Sequence, residues 1–160
     1  MILNNHKLNL NQFPENYYLI AIHSDLDEFR LAFFLNKKLN IRLKRKNNDI
    51  YFSEQDANYS SYEFLDDTKY LKWIFFSNKS LVSEKSPDED LSLFRQGNTA
   101  LNEMNLLSQQ KSVDYFLIIE NIANKTYIDK VLKKISEISG VITAFISENK
   151  LENKENLIFS

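Results

Sequence analysis

The sequence predicts an α+β fold in which helices cover one face of a mixed or antiparallel sheet. Three observations carry this. A strand-length apolar run followed by a helical pattern occurs near each end of the chain. Shorter β-type pieces with alternating apolar residues lie between the two copies. Finally, 43% hydrophobic and 13% aromatic residues in a chain of 160 supply enough apolar surface for one core.

In the first copy, Tyr17 to Ser24 (YYLIAIHS) is the strand and Asp25 to Asn40 the helix. Asp25 with Glu28 has the spacing of a capping box, and Asn40 suits a left-handed stop. Phe29, Ala32 and Phe33 share a helical face, which Leu31, Phe34 and Leu35 widen, so burial on more than one side is expected. The second copy is YFLIIEN, then TYIDKVLKKISEIS, then Gly140 and VITAFIS. Ile128, Val131, Leu132, Ile135 and Ile138 keep helical spacing, with Lys130, Lys133, Lys134 and Glu137 opposite. Thr126 with Asp129 has the capping spacing, and Gly140 fits a C-terminal stop.

Between the copies, DIYFSE, SSYEFLDD and KYLKWIFFSNK read as strands separated by Asn47-Asn48-Asp49 and Asp66-Asp67-Thr68 turns. Leu71, Trp73 and Phe75 alternate with Lys72 and Ile74, giving one strongly apolar face. Two strand-helix-strand units flanking β-hairpin strands resemble a ferredoxin-like sandwich. Residues 1–160 are read as a single α+β domain, with 82–111 a polar, partly mobile insertion. Within that insertion, Ser86-Pro87 followed by acids predicts a short helix from Pro87 to Arg95, then a mobile connection through Gly97.

Composition excludes several mechanisms. With 20 basic and 22 acidic residues there is no global field to attract polyanions or membranes. No cysteine is present, so disulfides, thiolate metal sites and cysteine nucleophiles are out, and a reducing compartment fits. Two glycines cannot build a phosphate-cradling loop or a dinucleotide fingerprint. The opening MILNNHKLNLNQ lacks the pattern of a secretory signal, and no apolar run approaches the roughly 20 residues of a membrane span. The expectation is a cytoplasmic protein without membrane association and without a cofactor.

At Leu107 to Tyr115 the chain resembles the IPExxxVDY family, a group of bacterial proteins to which no activity is assigned. Val113, Asp114 and Tyr115 match the end of the name-giving motif, whereas Leu107, Ser108 and Gln109 replace its first three residues. The resemblance extends to IAIHSDLDEFRLAFFLNKKL and LENKENLIF. It implies a cytoplasmic protein and supplies no active-site residues. Were the motif's glutamate an acid or base, the amide of Gln109 could not replace it.

Three groups of residues are candidates for function. His23, Asp25, Asp27 and Glu28 cluster where the first strand meets its helix, a place where ligands gather in α/β arrangements. A histidine beside carboxylates can shuttle protons, but acids at a helix start are accounted for by capping and the dipole. His23 and His6 are too few for a histidine-rich metal site. Lys37, Lys38, Arg42, Lys44, Arg45 and Lys46 form the one dense basic stretch, followed by Tyr51 and Phe52, as an RNA-binding sheet would require. A solvated helix end with cations at its negative pole explains the same charges. Asp114 and Tyr115 open a strand, where structural hydrogen bonding is the simpler reading.

The sequence therefore predicts a non-catalytic interaction or regulatory domain with a protein partner. A homodimer through an uncovered sheet face or edge is included, because apolar residues occupy both faces of Tyr70 to Phe76 and Tyr115 to Ile119. The alternatives are RNA binding through residues 37–46, and an enzyme or metabolite-binding protein using the His23 to Glu28 corner.

Overall fold

A computed structural model describes residues 16–53, 55–83, 101–148 and 157–158. His6, Gly97 and the helix expected from Pro87 to Arg95 lie outside the described residues. In chain order the elements are β1 (Tyr17–Ser24), α1 (Glu28–Leu39), β2 (Lys44–Arg45), β3 (Ile50–Phe52), β4 (Ala57–Tyr59), β5 (Ser61–Asp66) and β6 (Leu71–Ser77). They continue with β7 (Lys79–Ser83), β8 (Leu101–Asn105), a 3-10 turn (Ser108–Gln110), β9 (Tyr115–Glu120), α2 (Lys125–Ser136), β10 (Val141–Ile146) and β11 (Leu157–Ile158).

The fold is α+β, and its main sheet has six strands in the order β10-β1-β9-β6-β5-β2. Every pairing in it is antiparallel, so the mixed alternative is set aside. Registers place Ile20 against Leu117 and Leu117 against Phe75, which aligns the apolar residues of three strands on one face. That face, with Ile22, Trp73 and Ile119, packs on Leu31, Ala32 and Leu35 of α1 and on Ile128, Val131 and Ile135 of α2. Both helices thus cover the same side.

The opposite face of the same strands carries Leu19, Ala21, Ile74, Phe76, Phe116 and Ile118. It is covered by the chain itself, through Ile50, Phe52, Ala57 and Tyr59 of the β11-β3-β4 sheet together with Leu106 and Val113. The uncovered face that motivated a homodimer therefore does not exist on the central strands. Residues 82–83 and 101–105 lie in strands. β7 and β8 pair from Lys79 with Asn105 to Ser83 with Leu101, and Leu106 is buried behind them.

The helix ends differ from the sequence reading. α1 is capped by Asp27, whose side chain accepts from the Arg30 N–H, and not by Asp25. Several acids compete at this turn, and the cap falls to the one whose extended backbone aims its carboxylate at the open amides. Asn40, with φ 54°, ends the helix as expected. α2 is capped by Asn124 through the Tyr127 N–H, which leaves Thr126 inside the helix. The apolar face of α2 is as expected, with Ile128, Val131 and Ile135 buried, Leu132 partly buried and Ile138 buried just beyond the end of the helix. On α1, however, Phe29 and Phe33 point outward, 65% and 61% exposed. The burial of Leu31 and Leu35 turns their neighbours two residues away to solvent.

Asn78, between β6 and β7, is fully buried. Its Nδ2 donates to the carbonyls of Gln110 (2.9 Å) and Val113 (2.8 Å), and its Oδ1 accepts from the Leu107 N–H at 2.9 Å. Its backbone N–H donates to Asp114 O and its carbonyl accepts from Leu106 N. One residue, through its side chain and its backbone, thus ties Leu106, Leu107, Gln110, Val113 and Asp114 to the end of β6. Among the described residues no helix is long and apolar enough to cross a membrane.

Candidate functional site

The end of β1, where the sequence places its first candidate cluster, is divided by the sheet. Alternation along β1 sends Leu19 and Ala21 to one face and Ile20 and Ile22 to the other. His23 follows the first pair. Its ring stacks on Phe145, with centroids 6.0 Å apart, and its Nδ1 lies 4.0 Å from Asp114 Oδ2, beyond hydrogen-bond range. Glu28 is on the helix side, where its Oε2 accepts from the Ser60 hydroxyl. Asp25 is exposed and donates its N–H to Gly140 O, while Asp27 is occupied as the cap. His23 and Glu28 are therefore not brought together.

Asp114 anchors the face that His23 occupies. Its Oδ2 accepts from the Ser24 N–H at 3.0 Å, where the pairing of β1 with β10 shifts register, and its Oδ1 meets Lys79 Nζ at 3.0 Å. That hydrogen bond raises the pKa of Lys79 above its ordinary value, although burial works against it. Ser24, His23 and Asp114 look like the members of a catalytic triad. The geometry is not that of one, because Ser24 Oγ donates to Gly140 O at 2.7 Å and accepts from the Leu26 N–H.

Tyr115 serves the other face. Its hydroxyl donates to Leu26 O at 2.8 Å and so fixes the approach to α1. Tyr115 and Tyr62 flank Phe75, with ring centroids 5.4 and 5.5 Å away. Burial, with the Glu28 carboxylate adding to it, pushes both hydroxyls up to about 12, so neither serves as a base near neutral pH. Arg45 lies 5.8 Å from the centre of the Tyr62 ring.

Burial raises the Glu28 carboxyl above its ordinary 4.5; nearby Arg45 opposes the rise, and Asp49 and Asp27 add to it. A carboxyl with a raised folded-state pKa holds its proton more tightly in the folded chain. Its contribution to stability is then full below about pH 4.5 and is lost as pH rises through the folded value. Glu28→Gln, which keeps an acceptor for Ser60, should melt with the wild type near about pH 4 and above it near about pH 7. Melting curves at the two pH values check this; a lower melting point for the variant at neutral pH would show that attraction to Arg45 outweighs burial.

Half of the basic stretch is paired within the fold. Lys38 pairs with Glu137 at 3.6 Å, Arg45 with Asp49 at 2.5 Å and Lys46 with Glu63 at 3.4 Å. Lys37, Arg42 and Lys44 are exposed without an acidic partner among the described residues. Tyr51 bonds to Asp56 and Phe52 is buried, so the two aromatics do not form a stacking platform beside the cations.

Among the described residues no three His, Asp or Glu side chains are placed to hold a metal ion. Sequence reasoning missed Asn78, for which the only local sign was turn chemistry at the end of an apolar run. It also placed Phe29 and Phe33 inside. Compared with protein-family profiles, curated proteins and solved structures, the chain matches none.

Proposed function

We propose that this chain is a non-catalytic interaction domain on a ferredoxin-like plan, and that its contact surface is the outward face of α1. The strand order β10-β1-β9-β6, with both helices on one side, supports the plan. Kinship with the IPExxxVDY proteins belongs to the same proposal. It rests on Val113, Asp114 and Tyr115, whose hydrogen bonds are consistent with a structural role for that motif.

The exposure of Phe29 and Phe33, one helical turn apart, carries the functional reading. Covering such side chains is worth roughly 1.5–3 kcal/mol each, so a partner surface gains from taking them. Phe33 lies edge-on to Phe34 and Phe29 edge-on to Tyr62, which holds both rings in place before any contact is made. The partner is a protein with an apolar groove or a second copy of this chain. Neither the divided corner at β1 nor the half-neutralised basic stretch offers as much.

The test is the double variant Phe29→Ser/Phe33→Ser, purified by tag from native cells beside the wild type. Melting should change little, since both rings are mostly exposed, while proteins retained by the wild type, or its dimer in sedimentation, should be lost. An identical retained set and an identical sedimentation profile would overturn the proposal.

A further inference from the structure

A cavity of about 330 Å³ opens between α2, the end of α1 and the sheet, remote in sequence from the corner at β1. Its wall is formed by Leu39, Trp73, Tyr127 and Val131, with Lys130, Lys133, Lys134 and Glu137 around it. The volume lies at the low end of the roughly 300–1,000 Å³ usual for small-molecule sites.

Two independent features give the cavity a chemical preference. The first is Trp73, which is 1% exposed and whose indole Nε1 has no hydrogen-bond partner among the described residues. A buried indole N–H ordinarily finds an acceptor, because leaving it unpaired forfeits its solvation without return. The second is charge. Lys130, Lys133 and Lys134 are exposed and have no acidic partner among the described residues, while Glu137, the acid beside them, is engaged by Lys38 at 3.6 Å. Lys69, 5.9 Å from the centre of the Tyr127 ring, is on the same side but is paired with Asp66 at 3.9 Å, so the uncompensated charge is that of the α2 lysines. An apolar wall, an unused donor and uncompensated positive charge are the complement of an amphipathic anion.

We propose that this cavity binds a small organic anion with an apolar body. The acidic head sits in the field of the α2 lysines and reaches the Trp73 indole N–H once the lining side chains shift to uncover it, and the body packs on Leu39 and Val131. The site is separate from the aromatic face of α1, so its success or failure is independent of the interaction reading.

Trp73 is the sole tryptophan, so one indole N–H resonance reports directly on the site. The experiment titrates full-length protein with octanoate, and separately with octan-1-ol and octylamine, which carry the same body with a neutral and a cationic head. The indole resonance should shift saturably with octanoate, much less with octan-1-ol and not with octylamine. Lys130→Glu/Lys134→Glu, confined to exposed positions, should weaken octanoate by about tenfold or more, the equivalent of 1.4 kcal/mol. Trp73→Phe, followed by calorimetry, should also lose affinity while keeping an aromatic wall. Absence of a saturable shift, an equal response to octan-1-ol, or unchanged affinity in the lysine variant would each overturn the proposal.

Discussion

Asn78→Ala should be the most damaging single substitution in this protein, lowering stability by about 3–5 kcal/mol and the melting temperature by roughly 10 °C. The side chain uses both donor hydrogens and its acceptor, each on a backbone group of the 106–114 segment. Alanine would leave the carbonyls of Gln110 and Val113 and the N–H of Leu107 without those partners in a closed setting. Isosteric Asn78→Asp should fare little better, since a carboxylate would then face two carbonyl oxygens. Thermal melting of both variants checks this. A fall of only two or three degrees would mean that water fills the space and that the segment is held chiefly by Leu106 and Val113.

The second large effect is expected at Gly140, where alanine should cost about 2–4 kcal/mol. The residue has φ +97°, where a side chain is strained whatever the space around it. An added Cβ would also stand 2.6 Å from Leu26 Cγ and 2.8 Å from its Cδ2. The carbonyl of Gly140 accepts from the Asp25 N–H and the Ser24 hydroxyl, so the same residue joins the exit of α2 to the approach of α1. Two causes can be separated by adding Leu26→Ala. The double variant should recover the part due to the clash and retain the part due to the backbone. Full recovery would show that the positive φ itself costs nothing here.

How much of this was legible beforehand differed by the range over which each feature is encoded. Gly140, Asn40 and the buried face of α2 were readable, because glycine, asparagine and helical spacing act within a few residues. The alternation of Leu71, Trp73 and Phe75 likewise announced a strand with one apolar face. The cap of α1 was misplaced by two residues because Asp25 and Asp27 are equally good caps until the backbone angle of each is known. Phe29 and Phe33 were misjudged because apolar residues surround most of α1, and a count of them does not say which sector meets the sheet. The strand order left no local trace, since each pairing joins segments far apart. Coverage of the second face came from residues 50–59 and 106–113, which read as hairpin and polar linker. The candidate corner failed to assemble for a simpler reason. His23 still belongs to the two-residue period of the strand, while Glu28 belongs to the helix, and the two periods aim in opposite directions.

The register of β1 also bears on how the chain reaches its structure. Ile20 must meet Leu117 on one side and Ile146 on the other, so one long edge of β1 finds its partner only when the chain has been made through residue 120, and the other only at residue 146. Closing loops of that size before any return makes such pairings slow. An N-terminal fragment emerging from the ribosome would therefore carry YYLIAIHS as an apolar strand with both edges open, and would invite pairing with a neighbouring nascent chain. A chaperone holding β1 until β10 is complete would act on the step that this topology leaves most exposed.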